Sequence, residues 1–227
     1  MTDTSSWNYY YKLTPSGTPN PSNLIYSPKI NQEQTVMCMH YCIDDLYRKS
    51  DNEISDNLLQ WFFEREVKFL NNLSHLPTTP KVYDIDLVNK KVFIEWNKET
   101  LSQIMYDPTR NLDQEAPNWK EQIRDFLIST KENNFYKMAM YPHCFYIDKN
   151  GGLKTIDYYS VVPYEERFIE RSIIESIIGK DGAYRFDEST TDGYIDFKKF
   201  FEITVTRHLT RYWPNTIFSD VFKEIYA

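Results

Sequence analysis

Residues 144–160 read CFYIDKNGGLKTIDYYS, and this stretch decides how the rest of the chain is parsed. KNGG is a turn signal: two glycines after an asparagine supply backbone conformations that other residues resist. CFYID before it and LKTID after it are short, largely apolar and rich in strand-favouring residues. The spacing predicts a loop, a short strand, a turn and a second strand ending on the acid Asp157. That acid has two readings. It is a cleft carboxylate able to hold a cation, or it is a hydrogen-bonded turn cap.

Working outward, residues 53–72 change to helical period. Leu59, Phe62, Glu66, Phe69, Leu70 and Leu73 share one face, and PTTP (residues 77–80) ends the helix because proline cannot continue it. Short strands are expected at residues 8–13 (NYYYKL), 24–26, 35–42 (TVMCMHYC), 81–88 (KVYDIDLV) and 91–96 (KVFIEW). Beyond Trp96 the pattern is mainly helical. Residues 101–106 form a short helix, and Trp119, Ile123, Phe126, Leu127 and Thr130 form an amphipathic stripe. Two closing helices carry Phe168, Ile169, Ile173, Ile174, Ile177 and Ile178, then Phe197, Phe200, Phe201, Val205 and Leu209. The polar residues 179–194 between them read as an exposed loop. The fold class is α+β, with a β-rich lobe over residues 1–96 and a helical lobe over residues 97–227, sharing a cleft as one domain.

Composition narrows the partners. With 227 residues and 16% aromatics spread throughout, a packed core needs no disulfides. A net charge of −7 without any Lys/Arg run excludes a nucleic-acid footprint. No apolar run reaches the roughly 18 residues of a membrane span, and MTDTSSWNYYYKL has no signal-peptide pattern. Cys38, Cys42 and Cys144 lie in apolar stretches, as reduced thiols do in a cytoplasmic protein.

The order of parts resembles the protein-kinase-like fold, most closely its aminoglycoside- and choline-kinase branch, over residues 8 to about 178. SGTPN (residues 16–20) resembles the small-residue turn between the first two strands, with Gly17 in the phosphate-covering position. EREVKFLNNLSHLP (residues 64–77) resembles the inserted helix, where Glu66 is the acid that pairs with a strand-three lysine. VFIEW (residues 92–96) resembles the strand leading to the hinge, which puts Glu95 and Trp96 beside a nucleotide. FYIDKNGGLKTIDYYS resembles the hairpin after the catalytic loop, with Asp157 as the metal-binding aspartate. The resemblance implies a bilobal fold with a five-stranded antiparallel N-lobe and one helix, and ATP and magnesium as cofactors. The small size, acidic balance and abundant Asn, Tyr and Phe resemble phage- or virus-encoded members.

The departures weigh against catalysis. Aligned on the family pattern, Cys38 stands where the lysine belongs, Ala139 at the catalytic aspartate and Cys144 at the metal-binding asparagine. Losing a general base alone costs on the order of 100- to 10,000-fold. Losing the lysine and a metal ligand removes the charge stabilisation on which phosphoryl transfer depends. Binding of ATP and magnesium is therefore expected to be weak or absent.

Individual residues carry further alternatives. Glu66 lies on an apolar stripe, so it is either buried with a partner or snorkels to a surface lysine. Cys38, His40 and Cys42 alternate and suggest zinc, but successive members lie roughly 6.6 Å apart along a strand, which separates the outer pair too far for one ion. His143, beside Pro142, is a structural loop histidine or a substitute base. Arg207, His208 and Arg211 are an anion site or a solvated helix face. The expectation is a pseudokinase-like binding or scaffolding protein with a protein partner, without nucleic acid or membrane. The alternative readings are a divergent small-molecule or sugar kinase using Asp157 for metal, nucleotidyl transfer on the same fold, and an unrelated α+β domain.

Overall fold

A computed structural model describes residues 3–9, 26–42, 56–97, 99–212 and 224–226. Gly17 and the SGTPN turn lie outside the described residues, as do Tyr10 to Leu13 of the first expected strand and the start of the expected helix at Glu53. The architecture is α+β, built from helices and several antiparallel sheets. Residues 1–122 and 142–159 form one compact unit, and residues 123–141 and 160–227 form a second.

The first unit is organised on a sheet with strands β1 (Asn8–Tyr9), β2 (Ser27–Ile30), β3 (Val36–His40), β4 (Val82–Asp86) and β5 (Lys91–Glu95), in the order β1-β2-β3-β5-β4. All neighbouring pairs are antiparallel, and β1 contributes only two residues. Alternation along β3 splits the faces. Met37 and Met39 share one parity with Tyr41, whose ring meets Phe63 at 5.7 Å. Cys38 and His40 point the other way.

Helix α1 (Asp56–Asn72) follows β3. Leu59, Phe63, Glu66, Phe69 and Leu70 are buried, and Phe62 is only half-buried. The expected stripe holds at Leu59, Glu66, Phe69, Leu70 and Leu73 and differs at one position, where Phe63 rather than Phe62 reaches the core. Helices α2 (Leu101–Met105) and α3 (Leu112–Glu115) follow, and the boundary between the units falls inside α4 (Trp119–Glu132).

The second unit pairs β6 (Phe135–Lys137), before the hairpin, with β9 (Val161–Pro163), after it. The hairpin belongs to the first unit and consists of β7 (Phe145–Ile147) and β8 (Leu153–Thr155). Its turn is held by Asp148, whose Oδ1 accepts from the amides of Asn150 at 2.8 Å and Gly152 at 2.9 Å, while Gly151 takes φ +84°. Gln122 staples it: its Nε2 donates to the Gly151 carbonyl at 3.0 Å and its Oε1 accepts from the Leu153 amide at 2.6 Å.

The rest of the second unit comprises β10 (Phe168–Glu170), α5 (Arg171–Ala183), β11 (Thr190–Thr191), β12 (Tyr194–Asp196) and α6 (Phe197–Tyr212). Two expectations are corrected here. Phe168 and Ile169 lie on a strand, β10, paired with β12, instead of beginning a helix. Residues 179–194 are largely exposed, as expected, but they are not a loop: they finish α5, form a 3-10 helix over Tyr184–Ser189, add β11 and enter β12. The reason is Phe186, which packs against Phe197 at 5.8 Å and Phe200 at 4.5 Å, so one aromatic anchors a polar segment. Asp196 caps α6 through the amides of Lys198 and Lys199 and binds Arg167 through both carboxylate oxygens. That guanidinium holds the Asp196 carboxyl below its ordinary value. Among the described residues, no helix is long and apolar enough to cross a membrane.

Leu70 is wholly buried on α1 and Val88 is 86% exposed at the β4–β5 turn. Leu70→Ala is expected to cost about 2–5 kcal/mol in urea unfolding. Val88→Thr should stay within about 0.5 kcal/mol of the parent.

Candidate functional site

The site grows from the place where β8 ends. Thr155 donates its amide to the carbonyl of Thr78 at 3.0 Å, and Ile156 donates to that of Cys144 at 2.9 Å. The chain then turns sharply, because Asp157 has φ +67°. A non-glycine residue holds this left-handed conformation only where its surroundings impose it, although aspartate tolerates it better than most.

The surroundings are explicit. Tyr158 is buried and its hydroxyl meets Thr79 Oγ1 at 2.8 Å, while Thr79 donates to the Leu73 carbonyl at 2.6 Å. Tyr159 is gripped by two adjacent residues of α1. Its amide donates to Glu66 Oε2 at 2.6 Å, and its carbonyl accepts from Arg65 Nε at 3.2 Å. Phe62 adds an edge contact to the Tyr159 ring at 5.1 Å. With both flanks fixed, Asp157 has one place to go.

That place is the interior. Glu66 is 0% and Asp157 1% exposed, so each carboxylate has exchanged water for protein donors. Asp157 Oδ1 accepts from the Tyr26 hydroxyl at 2.6 Å and Oδ2 from the Cys144 thiol at 3.1 Å. Tyr41 stacks at a tilt on Tyr26, with ring centroids 5.3 Å apart. Burial first, and then the negative charge of Asp157, pushes the Tyr26 hydroxyl well above its ordinary value. Burial, followed by Glu66 and then Asp157, does the same to Tyr41. Both acids thus act on one tyrosine, and five chain segments, at residues 26, 41, 65–66, 144 and 157–159, meet in the cluster.

The remaining expected site residues lie as follows. Cys38 is on β3 with the opposite parity to Tyr41, paired with Lys29 on β2 and Phe93 on β5. Burial holds its thiol up at about 12, against the opposing pull of Lys91 and Lys29. Glu95 closes β5, and its carbonyl accepts from the Tyr146 hydroxyl at 2.7 Å. Trp96 is buried with its ring 4.8 Å from that of Tyr146. His143 is half-buried in a 3-10 turn over Pro142–Cys144. Ala139 belongs to the second unit, where its carbonyl accepts from the wholly buried Lys137 at 3.2 Å. Among the described residues no three His, Cys, Asp or Glu side chains gather in a way that could hold a metal ion.

Tyr26, Tyr41 and Lys137 were not legible in the sequence. In a chain with 18 tyrosines, nothing local distinguishes the two that face carboxylates. Lys137 sits in FYKMAM, where its neighbours' apolarity was the one available hint of burial.

No family model matches the chain, and no curated protein matches it. Solved structures do. A medium-resolution structure of the bifunctional kinase-methyltransferase WbdD is similar with a TM-score of 0.51 and 13% identity, covering 97% of this chain and 52% of that one. A crystal structure of monomeric WbdD gives 0.51 and 12%, with coverage of 96% and 49%. The likeness shows a shared fold, and the chain spans about half the length of those proteins.

Tyr26→Phe keeps the ring but leaves a buried carboxylate oxygen without its donor. It is expected to destabilise the chain by about 1–3 kcal/mol in urea unfolding. The alkaline limb of stability follows from groups kept neutral by folding. Cys38 titrates at about 12 folded against an ordinary 9.0, so its contribution is complete below pH 9 and is lost as pH rises toward 12. Tyr26 and Tyr41 act in the same sense at still higher pH. Melting temperature should therefore fall above pH 9, and Cys38→Ala should flatten the first part of that fall in a fluorescence melt.

Proposed function

We propose that this chain is a kinase-like binding or scaffolding protein with a degenerate nucleotide cleft, a pseudokinase-like module that engages a protein partner. One observation carries the reading: both oxygens of Asp157 are taken by neutral donors, the Tyr26 phenol and the Cys144 thiol. Magnesium selects hard oxygen ligands in near-octahedral geometry. A thiol beside the candidate ligand is a poor substitute for an amide oxygen. The residues present do not fit a magnesium–ATP complex.

Other features support the same reading. Glu66 bonds a backbone amide, and the strand-three position where a lysine would stand carries Cys38, a thiol held neutral. Ala139 offers no base. WbdD combines a kinase and a methyltransferase, and an antiparallel sheet with a helix after its third strand supports reading the shared half as kinase-like. The division into a β-rich lobe with five strands, ending at residue 96, and a helical lobe from residue 97 is part of this proposal. Exposed Phe168, Ile173, Tyr184 and Tyr194 in the second unit support a protein partner, because exposed large apolar groups favour association. Three cysteines without a disulfide fit a reducing, cytoplasmic setting.

The second reading, a divergent ATP-dependent phosphotransferase with Asp157 as metal ligand, draws on the φ of +67° at that residue, since strained backbone collects at functional sites. Thermal melting with millimolar ATP and magnesium separates the two. A ligand at 100 times its Kd stabilises the folded chain by about 2.7 kcal/mol. The scaffold reading expects no rise in melting temperature and no transfer of labelled γ-phosphate. A rise that Asp157→Asn abolishes, together with labelled product, would establish the phosphotransferase instead.

A further inference from the structure

The buried acids leave unused another pair of side chains, at the end of β3. His40 is the last residue of the strand and Cys42 lies two positions on. In a regular strand such residues stand roughly 6.6 Å apart. Here the chain folds back, with the Cys42 amide donating to the His40 carbonyl at 3.0 Å. The turn brings Cys42 Sγ within 3.2 Å of His40 Nδ1. Both residues are half-buried, whereas Cys38 and Cys144 are buried.

A thiol in contact with imidazole can pass its proton to the ring, and the resulting imidazolium stabilises the thiolate. Charged groups of the neighbouring strands stand close to the pair. Lys91 on β5 stands across from His40, and Asp86 on β4 across from Lys91. Lys29 on β2 stands across from Cys38, two residues back along β3. Asp3 also acts on both lysines, so Lys29 and Lys91 are balanced by Asp3 and Asp86 among the described residues, and the contact with His40 is what favours the thiolate.

We infer that Cys42 is a nucleophilic thiol activated by His40, and a modification site for soft carbon electrophiles. The reaction is a displacement at carbon. Sulfur forms the new S–C bond as the carbon–leaving-group bond breaks and its electron pair departs with the leaving group. The thiol proton passes through His40 to solvent. Cys42 is the group that reacts, and His40 acts through it.

The test measures iodoacetamide labelling of the full chain by peptide mass spectrometry between pH 6 and 9, with glutathione as the reference thiol. Cys42 should react about tenfold faster than glutathione at pH 6, and the advantage should shrink toward pH 9. His40→Asn should return the rate and pH profile to those of glutathione, and Cys42→Ser should remove the fast label. In urea, Cys42 should react as glutathione does. A folded-chain rate at or below that of glutathione overturns the assignment, and this comparison holds even if a variant fails to fold. A fast rate that persists in a folded His40→Asn chain overturns it equally.

Discussion

Two carboxylates withdrawn from water need donors, and in the first unit this need organises the ground between α1 and the residues after β8. Glu66 is buried because the helical period places it between Phe63 and Leu70. Its oxygen then captures the amide of Tyr159, and Arg65, one position earlier, holds the carbonyl of the same residue. The backbone of a single residue is thus gripped on both sides by neighbouring side chains of one helix. Asp157, two residues upstream, takes the left-handed conformation its anchored neighbours impose.

The chemistry of the donors matters as much as their number. A carboxylate held by a lysine or a magnesium ion belongs to a charged site, where removing the cation leaves an unpaired buried charge. Asp157 instead takes its bonds from a phenol and a thiol, both residents of the chain. The cost of this arrangement falls on the donors: burial and the adjacent negative charge hold Tyr26 and Tyr41 far from ionisation, so the cluster loses stability as pH rises through the alkaline range.

Much of this was legible from short-range pattern. The hairpin followed from KNGG between two apolar runs and the helix from the recurrence of Leu59, Phe69 and Leu70, while the position of Glu66 among them left burial and snorkelling both open. The failures are equally local in origin. Residues 179–194 are polar, and polarity reads as loop unless a distant aromatic surface is available to Phe186. Phe168 and Ile169 adjoin a helical run, and their assignment to β10 depends on β12, more than twenty residues later.

The sequence alone determined the local periodicities: where most of the helices and strands form, which faces are apolar, and that no lysine stands at position 38 and no acid at position 139. Tertiary structure decided the partners. Tyr26 reaches Asp157 across 131 positions of chain, and Glu66 reaches Tyr159 across 93. Periodicity reports which way a side chain faces over a few residues. Which donor meets which acceptor depends on how separate elements pack, and no local spacing records that.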